Sequence, residues 1–416
     1  MKIFWIIVVG FSLLVAPVQA ETKRKKTYAL SMKIFKEIEK AQVLVEEDNF
    51  EEALADLTAL LEKRSSDYEK AQIHNLMGSI HYRKNDYESA LEEFIKVLDS
   101  KNNMPLALYK QTLRTVSQLN MMKEDYVNAK LYCEELVAVA EVPDQKDYAL
   151  LTQANFKLEA WGDAMESALT GREVAYQQQK VPNENILILL NAVYFEMNQV
   201  DKMPSVLDEL IKYYPKTSYI LYLASVYGQL DRLDKQLVLM ESLYEDGKLK
   251  DRNQMRNLAS LYMSEETPYK GATVIQEALD KGILEGGVKD LELLAQAWRL
   301  AAEREKSLAV LARAAELSDT GKNYLKKAYL HFDMAQWQEA QESVMAGLDK
   351  GLEEKLKGEA WLLLGMTRFK LKQFDRAIEA CEKAKDYKNS LKHAKQWITY
   401  ISTEKRKFEA MQAPIS

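Results

Sequence analysis

Along most of this chain apolar residues recur every three or four positions, in runs a few helical turns long, and short polar turns separate the runs. Alternation with a period of two is nearly absent, so the pattern predicts amphipathic helices and almost no strand. The runs come in pairs. The clearest pair spans 358–391, GEAWLLLGMTRFKLKQFDRAIEACEKAKDYKNSL. Its first helix carries Trp361, Leu364, Gly365 and Phe369; its second carries Ala377, Ile378, Cys381 and Ala384, with Phe374 just before it. Gly365, Ala377 and Ala384 mark places where two backbones approach closely, and Trp361, Leu364 and Phe369 fill the space between. One such pair cannot bury its own apolar face.

The pattern recurs at repeat-like spacing, with starts near 34, 71, 110, 145, 184, 217, 252, 288, 321 and 358. Each copy keeps small and large residues in matching places, for example Ala41, Phe50 and Ala53 in the first copy and Gly78, Tyr82, Tyr87 and Ala90 in the second. The third opens at Pro105 and carries Cys133, and the fourth keeps Phe156, Trp161 and Ala164. The middle copies are more degenerate. Pro204 fits the first turn of a second helix that starts late, and Pro268 opens another, because proline costs nothing where no backbone donor is needed.

This order of small and large residues resembles the tetratricopeptide repeat, a helix–turn–helix unit of about 34 residues. The resemblance implies an all-α chain built as a right-handed solenoid. Residues 34–391 would form about ten repeats, and 392–416 a C-terminal capping helix with a short tail, QAPIS. The cap is expected from Leu391 to about Arg406, exposing Lys392, Lys395 and Lys405, since a solenoid must close its last apolar surface with a polar-faced element.

Ahead of the array stand two segments of another kind. Residues 1–20, MKIFWIIVVGFSLLVAPVQA, pair a lysine with about thirteen apolar residues and a small-x-small site, Val18-Gln19-Ala20. That is a secretory signal cleaved after Ala20, and its apolar core is shorter than the roughly 17–25 residues of a spanning helix. Left uncleaved it would be an anchor. Glu21, not Cys, follows the cut, which argues against lipid attachment there. Residues 21–33 are a basic lead. The expected location is the periplasm, with no span of the membrane once the signal is removed.

Composition agrees with a helical array: 47% hydrophobic, 29% charged, only 15 Gly and 8 Pro in 416 residues. The net charge of −6 argues against a nucleic-acid partner held by phosphate neutralisation. Charge is uneven, however, and residues 385–409 hold seven Lys/Arg against three Asp/Glu.

No catalytic or cofactor motif is legible. There is no Gly-rich phosphate loop, no G-x-S-x-G, no H-E-x-x-H and no C-x-x-C. His74 and His81 lie seven apart on one helix face without a third ligand nearby, and His81 and His331 occupy places where other copies put Tyr or Trp. Packing explains them better than metal. Cys133 and Cys381 fall at buried positions seven repeats apart, too far to bridge, and read as reduced core residues. The sixteen methionines fall mostly at core spacing.

Function then rests on surface. Tetratricopeptide geometry would place the first helix of each pair along a groove that holds extended peptides or helices. The second and third copies would present Asn75, Ser79, Tyr82, Arg83, Arg114 and Gln118 there. The fifth would present Ile188, Ala192 and Phe195, and the last two Tyr329, Phe332, Leu362, Met366 and Phe369. The apolar row of the last two has two readings: an apolar peptide groove, or packing against the neighbouring repeat.

Several stretches go beyond a generic repeat: KTYALSMKIFKEIEKAQ, DYEKAQIHNLMGSIHYRKNDYESAL, YPKTSYILYLASVYGQL, ETPYKGATVIQEALDKG, LELLAQAWRLAAEREKS and KHAKQWITYISTEKR. Together they resemble the exported tetratricopeptide proteins that accompany TonB, ExbB and ExbD. That resemblance implies a non-catalytic interaction scaffold, without cofactor, serving a TonB-type inner-membrane complex that powers uptake of iron–siderophore or similar cargo. A scaffold for outer-membrane biogenesis or peptidoglycan machinery is the alternative, and an enzyme with an unseen site is a third reading.

Overall fold

The computed structural model describes residues 28–142 and 144–412. The expected signal peptide, the lead up to residue 27 and the tail beyond Gln412 lie outside the described residues. Within them there are twenty-one α-helices and no strand. The chain divides into two compact units, Met1–Val193 and Tyr194–Ser416.

The first unit contains α1 (Met32–Glu46), α2 (Phe50–Leu61), α3 (Asp67–Arg83), α4 (Tyr87–Leu98), α5 (Leu106–Met122), α6 (Tyr126–Ala138), α7 (Gln145–Lys157) and α8 (Trp161–Gln177), and most of α9 (Glu184–Glu196). Helices α1 to α8 are four helix–turn–helix pairs stacked in sequence order, each packed against the next. The second unit starts in the last turn of α9 and continues with α10 (Met203–Tyr213). Five pairs follow: α11 (Thr217–Gln229) with α12 (Leu233–Glu245), α13 (Arg252–Ser264) with α14 (Pro268–Asp280), α15 (Val288–Leu300) with α16 (Arg304–Leu317), α17 (Lys322–Asp333) with α18 (Trp337–Lys350), and α19 (Glu354–Lys370) with α20 (Phe374–Ala384). The last helix is α21 (Leu391–Gln412).

Every helix–turn–helix closes in one way. A residue in the left-handed region follows the first helix: Asp48, Asn85, Glu124 and Glu159 in the first unit, then Asn198, Asp231, Glu266, Ala302, Ala335 and Lys372. The next N–H reaches back to a carbonyl five residues earlier, as in Asp86 to His81, Glu303 to Trp298 and Gln373 to Arg368. This satisfies carbonyls at the helix end that would otherwise have no partner. A Cβ in this conformation costs roughly 1–2 kcal/mol, yet none of these ten positions is glycine. The stacked neighbours hold the turn regardless.

Across each pair the helices meet at small side chains. Ala53, Ala90, Ala129, Ala164, Ala340 and Ala377 are all fully buried. A Cβ added at Gly365 would come within 2.3 Å of the Cys381 sulfur, and one at Gly78 within 3.0 Å of the Phe94 ring. Where the second helix instead brings a long polar residue, Gln236, the facing position is Gly228 and gives it room. Proline falls where it does no harm: Pro204 lies in the first turn of α10 and Pro268 is the first residue of α14.

The ends of the array differ in detail from what the sequence suggests. The lead is shorter than expected, because Ser31 already caps α1. Tyr28 packs its ring 5.6 Å from Tyr68, and the Glu69 carboxylate accepts from the backbone N–H of both Ser31 and Ser66, each at 2.8 Å. One acid thus caps two helix N-termini, where the helix dipole favours negative charge. Burial opposes its ionisation, but the hydrogen bonds from Ser66 and Ser31 outweigh burial and hold its pKa down to about 2. At the other end α21 runs to Gln412, past the expected stop near Arg406. Phe408 packs on Phe374 at 5.3 Å, which gives the extra turn something to bury. Lys405 is not an exposed residue as expected: it is ion-paired with Asp375 of α20 and with Glu409.

This local chemistry is open to test at the turns and at the double cap. Ala302 and Ala335 are exposed and left-handed, so Ala302→Gly and Ala335→Gly should each stabilise by about 1 kcal/mol, read as a higher urea midpoint. Glu69 has a depressed folded pKa, so its contribution is complete above the ordinary carboxylate range near 4.5 and is lost as pH falls towards 2. Glu69→Gln should therefore cost roughly 1–3 kcal/mol at pH 7 and flatten the loss of thermal stability between pH 5 and 2, relative to the parent.

Candidate peptide-binding grooves on the first helices

The first helix of each pair contributes two apolar faces to packing, one on its partner and one on the next pair. What remains points to solvent beside the neighbouring first helix. Cavities open along that surface in both units.

In the first unit a cavity of about 720 Å³ lies among α3, α5 and α7, with Tyr82, Arg83, Phe94, Leu119, Met122 and Leu150 in its wall. Phe94 and Leu119 are buried, whereas Tyr82 and Met122 are 45% and 51% exposed, so the floor is apolar and the rim is accessible. Tyr82 stands edge-on to Tyr87 at 5.5 Å. Arg83 donates to the Val45 carbonyl and pairs with Asp48. A second cavity of about 480 Å³ continues towards α9, bounded by Arg114, Lys146, Asn183 and Asn185. The two share Gln118, Leu150 and Gln153, which makes them one groove across four first helices, apolar at one end and polar at the other.

In the second unit a cavity of about 500 Å³ lies between α15 and α17 over α16. Its floor is Ala295, Leu311 and Leu330, all buried. Tyr329 stands at its edge, 40% exposed; burial, with Glu359 nearby, pushes its phenol above the ordinary value, so it stays a neutral donor.

Of the residues expected to line a groove, Ser79, Tyr82, Arg83, Arg114, Gln118 and Tyr329 line these cavities. Asn75 is half-buried on α3. Ile188 and Phe195 are exposed on α9, but the first belongs to one unit and the second to the other. The apolar row expected near the C-terminus is not an open strip. Phe332 packs edge-on to Trp337 at 5.0 Å. Leu362 packs on the cluster of Ala377, Cys381 and Ile401. Phe369 is ringed by Phe374, Trp397 and Tyr400 at 5.4–6.0 Å, and Met366 is half-buried. α21 covers the α19 part of that row, at Leu362 and Phe369, while Phe332 packs within its own pair.

A feature not anticipated from the sequence fixes neighbouring first helices to each other. Arg114 of α5 donates through Nε and Nη2 to Oδ1 of Asp147 on α7, at 2.9 and 2.5 Å. In the second unit Arg256 of α13 reaches Oδ1 of Asp290 on α15 in the same way, at 2.7 and 2.6 Å. In both, Nη1 touches the amide oxygen of a residue one turn earlier, Gln111 or Asn253. Both carboxylates are almost fully buried, at 1–2% exposure. The signal available in the sequence was the shared spacing, with Arg and Asp one repeat length apart in each case.

The remaining reactive side chains are occupied structurally. His74 Nδ1 lies 2.7 Å from Glu93, His81 Nδ1 3.2 Å from Asp86, and His331 Nδ1 2.6 Å from Gln336. No group of three or more metal-ligating side chains occurs among the described residues. Both cysteines are free and buried, and burial pushes their thiols up, to about 12 for Cys133 and about 11 for Cys381. Thiols held so far above neutral pH are poor nucleophiles.

The staples give a direct test. Arg256→Met leaves the Asp290 carboxylate buried without its cation and should cost about 3–5 kcal/mol in urea unfolding. Asp290→Asn leaves only a partly exposed guanidinium, which water can solvate, and should cost no more than about half as much. Equal or negligible losses would show that the pair does not hold α13 to α15.

The profile described as tetratricopeptide repeat matches residues 38–105 and 325–390. Among curated proteins none matches this sequence. Solved structures with similar folds include YrrB, described as a tetratricopeptide-repeat protein with an unusual peptide-binding site (16% identity, 46% of this chain and 96% of that one, TM-score 0.37). Others are a tetratricopeptide-repeat protein from Parabacteroides merdae (14% identity, 62% and 98%, TM-score 0.33) and MamA from Desulfovibrio magneticus (20% identity, 44% and 94%, TM-score 0.35). Among the described residues the chain is all-helical and built of repeated helix pairs, and the tetratricopeptide-repeat model matches two stretches of it, residues 38–105 and 325–390.

Proposed function

We propose that this protein is a non-catalytic scaffold of the periplasm that holds protein segments on its first-helix surfaces. In this reading it serves as an accessory component of a TonB-type energy-transduction system for uptake of iron–siderophore or similar cargo. The observation that supports it best is the groove across α3, α5, α7 and α9. It has an apolar pocket at Tyr82, Phe94 and Met122 for an anchoring side chain. Beyond the pocket Gln118 and Gln153 stand on adjacent first helices, and each amide offers one donor group and one acceptor to a peptide backbone. Helices packed about 8–10 Å apart put such contacts about three residues apart on an extended chain rising roughly 3.3 Å per residue.

The choice of compartment and system rests on the sequence: a segment with the n-region, apolar core and cleavage site of a secretory signal, and the repeat variants that resemble TonB-associated proteins. No described helix is long and apolar enough to cross a membrane.

The test is affinity capture from crosslinked cell envelopes with the full chain as bait, joined to growth of a deletion strain. Recovery of TonB, ExbB or ExbD, with a growth defect confined to iron limitation, is expected. Envelope leakiness or division faults with no TonB-system partner would point to assembly machinery instead. Met122→Glu, which puts a charge in the apolar pocket rim, should reduce capture at least fivefold at unchanged helicity.

A further inference from the structure

The cavity between α15 and α17 has a chemistry of its own. Its wall carries three cations, Lys289, Arg299 and Lys326, against two carboxylates, Glu292 and Asp333. Lys326 and Glu292 already face each other at 3.2 Å. Lys289 and Arg299 are exposed at opposite ends of α15 and enter no ion pair among the described residues. The Gln296 amide and the Tyr329 hydroxyl stand between them as further donors, above the apolar floor of Ala295, Leu311 and Leu330. In a chain of net charge −6, the lining carries one more cation than carboxylates above a greasy base, with Asp333 unpaired among the described residues and Glu359 beside Tyr329.

From this charge pattern we infer that the α15–α17 slot binds an extended acidic peptide: two carboxylate side chains flanking one aliphatic residue. The occupant follows from complementarity. Unpaired cations at the rim favour carboxylates, unfilled donors favour peptide carbonyls, and the floor takes a side chain of leucine size. The spacing follows from helix geometry. Lys289 and Arg299 are ten residues apart, about 15 Å along α15 at 1.5 Å per residue. An extended peptide covers that distance in about four to five residues, so the carboxylates belong at positions i and i+4. The inference deepens the scaffold reading and rests on it. It assigns this second-unit slot a ligand different from the one proposed for the first-unit groove, whose arginines, Arg83 and Arg114, are already ion-paired.

The experiment uses the full chain and capped fluorescent pentapeptides, so that no terminal carboxylate is present. The acidic probe is Glu-Ala-Leu-Ala-Glu; the comparison probes carry Gln or Lys in place of both Glu. Anisotropy titrations at low salt should show the acidic probe binding at least tenfold more tightly than the Gln probe, with the preference shrinking as salt rises. In the double variant Lys289→Glu, Arg299→Glu the acidic probe should lose at least tenfold, while the Lys probe gains. A gain cannot arise from misfolding, and circular dichroism of the variant checks the fold independently. Equal binding of acidic and Gln probes, or a preference unmoved by the double variant, would overturn the inference. A double variant that still captures every envelope partner at parental strength also counts against it, and leaves the scaffold reading standing. A parent chain that captures no envelope partner overturns the scaffold reading itself, whatever the probes do.

Discussion

A helix pair in this chain has more apolar surface than it can cover by itself. The first helix must meet its partner at one face and the following pair at another. Both meetings require backbones to come close, which is why alanine or glycine recurs at the crossing, and why a Cβ at Gly365 would run into Cys381. Burial at roughly 25 cal/mol per Å² is gained only by adding neighbours, so stability accrues along each stack. The left-handed turn residues show how strongly the stack dominates. Ten turns adopt a conformation that favours glycine, and none uses it.

The same shortage of cover decides where function can lie. With two faces of each first helix consumed by packing, the third is left beside the equivalent face of its neighbour, and side chains at like positions form rows. Those rows carry the apolar-to-polar groove of the first unit and the cation-rimmed slot of the second. The buried Arg–Asp pairs tie adjacent first helices together, Arg114 with Asp147 joining α5 to α7 in the wall of the first groove and Arg256 with Asp290 joining α13 to α15 beside the second slot. A buried charge pair contributes little net stability. In return it fixes which helix faces meet, and a groove needs its walls fixed before it can recognise a ligand.

How much of this was legible in the sequence differs from residue to residue. The helical periodicity, the small residues Ala90 and Ala377 and the prolines at 204 and 268 act within one helix or across one turn, so their spacing announced them. The staples were harder, because Arg114 and Asp147 are partners a full repeat apart and each alone looks like an ordinary surface charge. The fate of Phe369 was not readable at all. As an aromatic on a first helix it suits a groove equally well as a core, and its enclosure by Trp397 and Tyr400 depends on where α21 lies.

The all-helical class, the pairing of helices and the repeat length are written in the order of residues alone, because they follow from local propensity and from a period of apolar residues within about 34 positions. Which first-helix residues face solvent was left to the packing of helix on helix. That packing leaves Lys289 and Arg299 without counter-ions among the described residues while Lys405 gains two, and it encloses Phe369 under the last helix. Those outcomes depend on the rotation of each helix about its own axis against its neighbours, a quantity that periodicity constrains only to within a side chain's width.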